Sequence, residues 1–222
     1  PAKTQLFWVP AIGCNNYNKL MLGAAFYNSI LPRKNFEFEI MPLYSVHTND
    51  LNGYGHFAYS YYPNTVFQNI QFGVTGARYA FTLAPFEMSF NKVAPEINIE
   101  FKKRTATSSY TNTLKYRNIS IIRDGSQGKF ENNTINYSRI QVFTNFNDLT
   151  YTLSKKDMIT PFSVSVNLQQ GEQICKSSLT FKYAYNFKKK NKGIDVRLFA
   201  GTFIATSAAN AGLYRFRLSG QT

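Results

Sequence analysis

An all-β fold is what this 222-residue sequence predicts, an antiparallel up-and-down meander of roughly 10–12 strands. Two observations lead there. Apolar and polar residues alternate with period two from end to end, and clusters of turn-forming residues punctuate the alternation. A third supports them: aromatics reach 16%, with 15 Tyr and 20 Phe, while charged residues are only 17%. Soluble domains carry about 25% charge, and aromatic residues favour strands over helices.

The clearest early strand sets Phe36, Phe38 and Ile40 against Glu37 and Glu39. A strand buried on both faces would not hold two glutamates there. The run continues into Met41-Pro42-Leu43-Tyr44, where Pro42 lacks an N–H and so predicts a local irregularity or a strand edge. Phe57, Tyr59 and Tyr61 then oppose His56, Ala58 and Ser60, and Ile70, Phe72 and Val74 oppose Gln71, Gly73 and Thr75. Ile97, Ile99 and Phe101 oppose Asn98, Glu100 and Lys102. Later runs set Phe162, Val164, Val166 and Leu168 against Ser163, Ser165 and Asn167, and Leu179, Phe181, Tyr183 and Tyr185 against Thr180, Lys182 and Ala184. Tyr214, Phe216 and Leu218 form the last run. Leu31–Asn35, Asn49–Gly53, Tyr62–Thr65 and Gln170–Glu172 read as short connections, and Lys188–Lys190 with Lys192 as a charged turn. Asp124–Gly128 followed by Asn132-Asn133, and Thr105–Thr113, read as longer polar loops.

Each run is roughly 9–13 residues, the length a tilted strand needs to cross a bilayer, whereas soluble strands average about 5–6. Tyr61-Tyr62, Tyr185 and Phe187 flank runs as an interfacial aromatic girdle would. Mean hydropathy is −0.29, and no apolar run is long enough for a spanning helix. That excludes a helical membrane protein and leaves a β-barrel, whose strands alternate. The net charge of +13 raises a nucleic-acid partner. The basic residues are scattered, so a solvated lumen or loops facing anionic head groups is the preferred reading, with no nucleic acid. The chain opens at Pro1 and stops at Thr222 just after a strand-like run, which predicts one barrel region, residues 1–222, truncated at both ends.

No catalytic, cofactor or metal residue is assigned. His47 and His56 do not start HExxH, and GxSxG, P-loop and GxGxxG motifs are missing. Glu37 and Glu39 share a strand face and read as solvated lumen charges rather than an acid/base pair. Cys14 and Cys175 stand far apart in sequence, which neither requires nor excludes a disulfide. They belong to no CxxC or Cys/His cluster that would hold zinc.

Several segments carry a resemblance: Pro10-Ala11-Ile12-Gly13-Cys14-Asn15-Asn16-Tyr17-Asn18-Lys19, Leu22-Gly23, Tyr27-Asn28, Met41–Ser45, Leu51-Asn52-Gly53 and Gly193–Gly201. Their order and spacing resemble the C-terminal barrel region of Bacteroidota aminopeptidase-N-like zinc metallopeptidase proteins. The resemblance implies an outer-membrane location, lipid as partner, and an upstream peptidase domain of the same polypeptide that this segment anchors or positions. The zinc-binding region has no counterpart here, so the chain itself is expected to be non-enzymatic and without cofactor. A transport or channel barrel, and a soluble β-sandwich or ligand-binding barrel, are the alternatives. The soluble forms require the Phe/Tyr face to pack inward.

Overall fold

A computed structural model describes residues 5–29, 34–63, 65–82, 86–105, 107–131, 134–187 and 192–206. Eleven strands follow one another: β1 (Phe7–Asn15), β2 (Lys19–Tyr27), β3 (Phe36–Ser45), β4 (Leu51–Tyr61), β5 (Phe67–Thr82), β6 (Met88–Phe101), β7 (Tyr110–Glu131), β8 (Thr134–Lys155), β9 (Phe162–Gly171), β10 (Ile174–Asn186) and β11 (Gly193–Thr206). They form a single sheet in sequence order, each strand paired with the next. The expected antiparallel up-and-down meander is therefore observed, and among the described residues it contains no helix. Among those residues no ladder joins β11 to β1.

Contacts divide the chain into two compact units. The first comprises 1–60, 71–96 and 119–145; the second comprises 61–70, 97–118 and 146–222.

Strand lengths depart from expectation in the middle of the chain. β1 to β4 and β9 run 9, 9, 10, 11 and 10 residues, but β5 and β6 run 16 and 14, and β7 and β8 run 22 each. At about 3.3 Å per residue, 22 residues span roughly 70 Å, more than twice a hydrocarbon core of about 30 Å. The polar loop expected at Asp124–Gly128 is instead strand, inside β7. Its glycines explain the correction. A Cβ on Gly125 would stand 3.2 Å from Ile140 and 3.3 Å from Val142, and one on Gly128 3.0 Å from Ile135. Each glycine leaves room for the bulky side chains of β8, so cross-strand packing overrides local turn propensity. The other polar segment is loop only up to Ser109, because β7 begins at Tyr110. The third connection is Val46–Asp50, and Leu51 to Gly53 already belong to β4. Asn132-Asn133, Lys188–Lys190 and the run through Tyr214, Phe216 and Leu218 lie outside the described residues.

Pro42 is the irregularity the sequence predicts. The β2–β3 pairing is interrupted between Gly23↔Leu43 and Phe26↔Ile40, where a proline cannot donate. Two glycines accommodate the resulting close approach. A Cβ on Gly23 would lie 1.9 Å from the Pro42 carbonyl oxygen. Gly53, paired with Pro42 from the other side, has φ +145° and would place a Cβ 2.2 Å from the Met41 oxygen. Gly53 is thus fixed twice, by backbone conformation and by space.

Side chains take over hydrogen bonding where ladders end. Asn15 Oδ1 accepts the N–H groups of Tyr17 (2.9 Å) and Asn18 (2.6 Å), shaping the β1–β2 turn. Asn18 is fully buried. Its Oδ1 accepts from Asn15 Nδ2 (2.9 Å) and from the Ala80 N–H (3.2 Å), and its Nδ2 donates to Thr48 Oγ1 (3.3 Å). Ser45 Oγ donates to the Asn18 carbonyl (2.7 Å). One asparagine thereby ties the β1–β2 turn, the β3–β4 turn and β5 together. Beyond the far end of β2, Asn28 acts as an extra ladder residue. Its Nδ2 donates to the Phe36 carbonyl and its Oδ1 accepts from Phe38 N–H, both at 2.9 Å.

Replacing Gly53 or Gly23 with Ala is expected to destabilise by about 2 kcal/mol or more. Gly55→Ala should be well tolerated, since its Cβ would meet only the Glu39 oxygen at 4.0 Å. Urea-unfolding midpoints distinguish them. Asn18→Ala leaves the buried Ala80 N–H without an acceptor and should cost about 3 kcal/mol, against under about 1 kcal/mol for Thr48→Val; the same midpoints check both.

Candidate functional site

The register assigns every residue of the first hairpins to one of two faces. Pairing runs Trp8↔Phe26, Ile12↔Leu22 and Cys14↔Leu20 between β1 and β2. It continues Leu22↔Tyr44 and Phe26↔Ile40 into β3, then Phe36↔Tyr59, Phe38↔Phe57 and Tyr44↔Leu51 into β4. One face of these four strands is therefore almost wholly apolar, and it is the exposed one: Trp8 is 65% and Ile12 77% exposed, and Leu20, Leu22, Phe36, Tyr44, Leu51 and Tyr59 are all exposed. The opposite face holds Ser45, Asn52, Ala58 and Ser60, all buried, with Met21 and Leu43, and with Glu37, Glu39, Tyr54 and His56 between them. Most large apolar side chains lie outside, while Ser45, Asn52, Ala58 and Ser60 are covered together with Met21 and Leu43, and Glu39 is exposed. A water-soluble sheet shows the reverse.

The second unit repeats the pattern in its last strands. Val164↔Phe181↔Leu198, Val166↔Leu179↔Ala200 and Phe162↔Tyr183↔Val196 make one apolar face of β9, β10 and β11. Ser165↔Thr180↔Phe199, Asn167↔Ser178↔Gly201 and Ser163↔Lys182↔Arg197 make the other, polar but for Phe199. Leu149, Tyr151, Val166, Leu168, Leu179 and Leu198 are exposed. Aromatic residues mark strand ends, with Tyr61, Tyr62, Tyr185 and Phe187 at 41–52% exposure, where a girdle was expected.

The polar faces are hydrogen-bonded. In the first unit His56 Nδ1 contacts Thr75 Oγ1 at 3.1 Å and stands opposite Glu39 in the β3–β4 register, while Ser29 Oγ donates to Glu37 (3.1 Å). His47 sits exposed in the β3–β4 turn, so the two histidines are not brought to one site. A polar recess of about 200 Å³ at the turn end of this unit holds the Arg78–Asp50 ion pair (2.6 Å), with Asp124 accepting from Ser89 N–H (2.9 Å) and Arg139 donating to the Glu87 carbonyl. In the second unit Asp148 binds Arg117 (2.9 Å) and accepts from Asn167 Nδ2. Cys14 and Cys175 are free thiols. Among the described residues no cluster of three or more His, Cys, Asp or Glu could hold a metal ion.

On the exposed apolar face, Gly53 and Gly55 of β4 and Gly76 of β5 leave a shallow trough of about 600 Å³, bordered by Ile40, Phe57, Val74 and Val93. It is a surface depression and brings no nucleophile, acid/base pair or metal ligand together. Sequence reasoning missed Asn18 and Asn28; the Asn15-Asn16-Tyr17-Asn18 cluster signalled a turn, but burial of the last asparagine depends on β5, far along the chain.

Comparison with protein-family models, with curated proteins and with solved structures returned no match.

The connection between β8 and β9 carries a titrating device. Asp157 is held below the usual carboxylate range, first by its hydrogen bond with Lys155 and then by the Ile159 N–H and the Thr160 hydroxyl. A lowered folded-state value means the stabilisation is present above the unfolded carboxylate pKa and disappears as pH falls through the folded one. Amide exchange at Ile159 should therefore accelerate on acidification below the ordinary aspartate range. In Asp157→Asn that pH step should vanish.

Proposed function

We propose that this chain is a membrane-embedded, outer-membrane-type β-barrel segment whose role is to anchor or position other parts of its polypeptide. The observation that carries the reading is the exposed apolar face of β1 to β4. About ten large side chains there, roughly half exposed at about 150 Å² each, amount to on the order of 750 Å² of apolar surface. Monomeric soluble proteins seldom show contiguous patches beyond about 300–600 Å². At about 25 cal/mol per Å², removing that area from water favours lipid by roughly 18 kcal/mol. A ladder continuous from β1 to β11 also pairs the backbone of every strand between those two edges on both sides, as a bilayer demands of a barrel wall. The 9–11-residue strands of that patch suit a tilted crossing of the hydrocarbon layer. Location in a bacterial outer membrane, and an upstream metallopeptidase-like domain as the part positioned, follow from the resemblance of the motifs alone.

A channel is the second reading, favoured by the charged polar face that holds Arg117, Asp148, Lys182 and Arg197. Inward packing of the Phe/Tyr face, as a soluble sandwich requires, is at odds with the exposures of Trp8 and Ile12.

The chain has one tryptophan, and it lies on the apolar face. In vesicles whose acyl chains carry bromine, Trp8 fluorescence should be quenched by half or more, while aqueous acrylamide should have little effect. Full acrylamide quenching with no response to bromolipid would sink the membrane reading.

A further inference from the structure

The positive charge of this protein is concentrated in one unit. The second unit holds 16 of the 25 Lys and Arg residues and only 5 of the 12 acids. Two of those five acids are committed elsewhere. Asp148 is bound by Arg117 and Asn167, and Asp157 by Lys155, Ile159 and Thr160. Glu100 lies on β6, and Glu172 is in the β9–β10 turn.

Against that background, Lys182 and Arg197 are direct cross-strand partners in the β10–β11 ladder. Like charges placed opposite each other destabilise a sheet. Ser163 stands on the other side of Lys182 in the same row. The next row of this face is Pro161, Ala184 and Asp195, continued by the hydrogen bond from Ala184 N–H to the Pro161 carbonyl (3.0 Å). Pro161 and Ala184 are short, and a mostly apolar concavity of about 420 Å³ opens between the two rows, where Ser163, Lys182, Asp195 and Arg197 join Phe162, Tyr183 and Val196 in its lining. Neither cation has an ion pair within the described residues, Asp195 included. Residues 207–222 contain no Asp or Glu. The connections at the same end of these strands add Lys156 and Lys192.

We infer that the Ser163–Lys182–Arg197 row is a binding site for a small oxyanion, a phosphate or carboxylate group. The guanidinium of Arg197 offers a planar fork to two oxygens, Lys182 a point charge and Ser163 a hydroxyl donor. The surrounding cations raise the local anion concentration. Asp195 borders the concavity and opposes binding, so it limits affinity and lets the anion leave. The inference goes beyond the membrane reading and does not depend on it, because the site lies on the polar face.

The test uses the full chain in a phosphate-free detergent, titrated with inorganic phosphate by calorimetry at fixed ionic strength. Saturable binding is expected, weakened at least tenfold in Lys182→Gln/Arg197→Gln and strengthened about threefold in Asp195→Asn. A second measurement is independent of affinity. Without phosphate, Lys182→Gln should raise the urea midpoint by relieving the like-charge contact; with saturating phosphate the parent should become the more stable. Adding anionic phospholipid identifies the source: phosphate and lipid competing supports the site as a general oxyanion binder. Binding of lipid alone, binding of phosphate no stronger than of chloride, or an unaltered double variant overturns it.

Discussion

The structure depends on one constraint: between the outer edges of β1 and β11, backbone N–H and C=O groups are satisfied by neighbouring strands. Period two follows from that geometry, because successive side chains must point to opposite faces. Once pairing is in register, one residue of slip would carry the Phe and Trp side chains of β1–β4 to the polar face and the glutamates to the apolar one. Sequence alternation and ladder register therefore fix each other. The inverted burial, with Trp8 and Ile12 outside and Ser45 and Asn52 covered, is a property of that register rather than of any single contact.

Where the ladder cannot continue, the protein substitutes for it locally. Pro42 removes a donor from the middle of β3, and the strands on both sides answer with a glycine, Gly23 in β2 and Gly53 in β4, so that backbones approach where a side chain would collide. At the ends, asparagine side chains imitate the peptide group. Asn28 offers Phe36 and Phe38 the same donor–acceptor pair that a further strand residue would, and Asn18 gives β5 an acceptor for Ala80. An amide side chain is suited to this because it carries both a donor and an acceptor in one plane.

The fold was legible because the two-faced pattern is local. Phe36 to Ile40 and Leu179 to Tyr185 announce strand, face and period without reference to anything else, and the strand number falls in the expected range. What was not legible depends on partners distant in sequence. Asp124–Gly128 has the composition of a loop, and only the branched and aromatic side chains of Ile135, Tyr137, Ile140 and Val142 on β8 turn its glycines into packing sites. The buried asparagines looked like ordinary turn residues for the same reason. The anion-binding row was illegible too: Lys182 and Arg197 are fifteen positions apart in a chain with scattered basic residues, and only the register makes them opposite.

The two units treat charge differently, and the difference bears on what the second is for. In the first unit the cations are nearly balanced, nine Lys and Arg against seven acids, with Arg78 paired to Asp50. Stability alone would favour the same balance everywhere, since a carboxylate opposite Arg197 would exchange repulsion for attraction at no cost in volume. The second unit instead keeps two cations facing each other beside a serine, with Pro161 and Ala184 short in the neighbouring row. A sheet selected only as an anchor has no use for that arrangement. A sheet whose polar face also meets anionic solutes does, because an oxyanion lying between Lys182 and Arg197 relieves their repulsion.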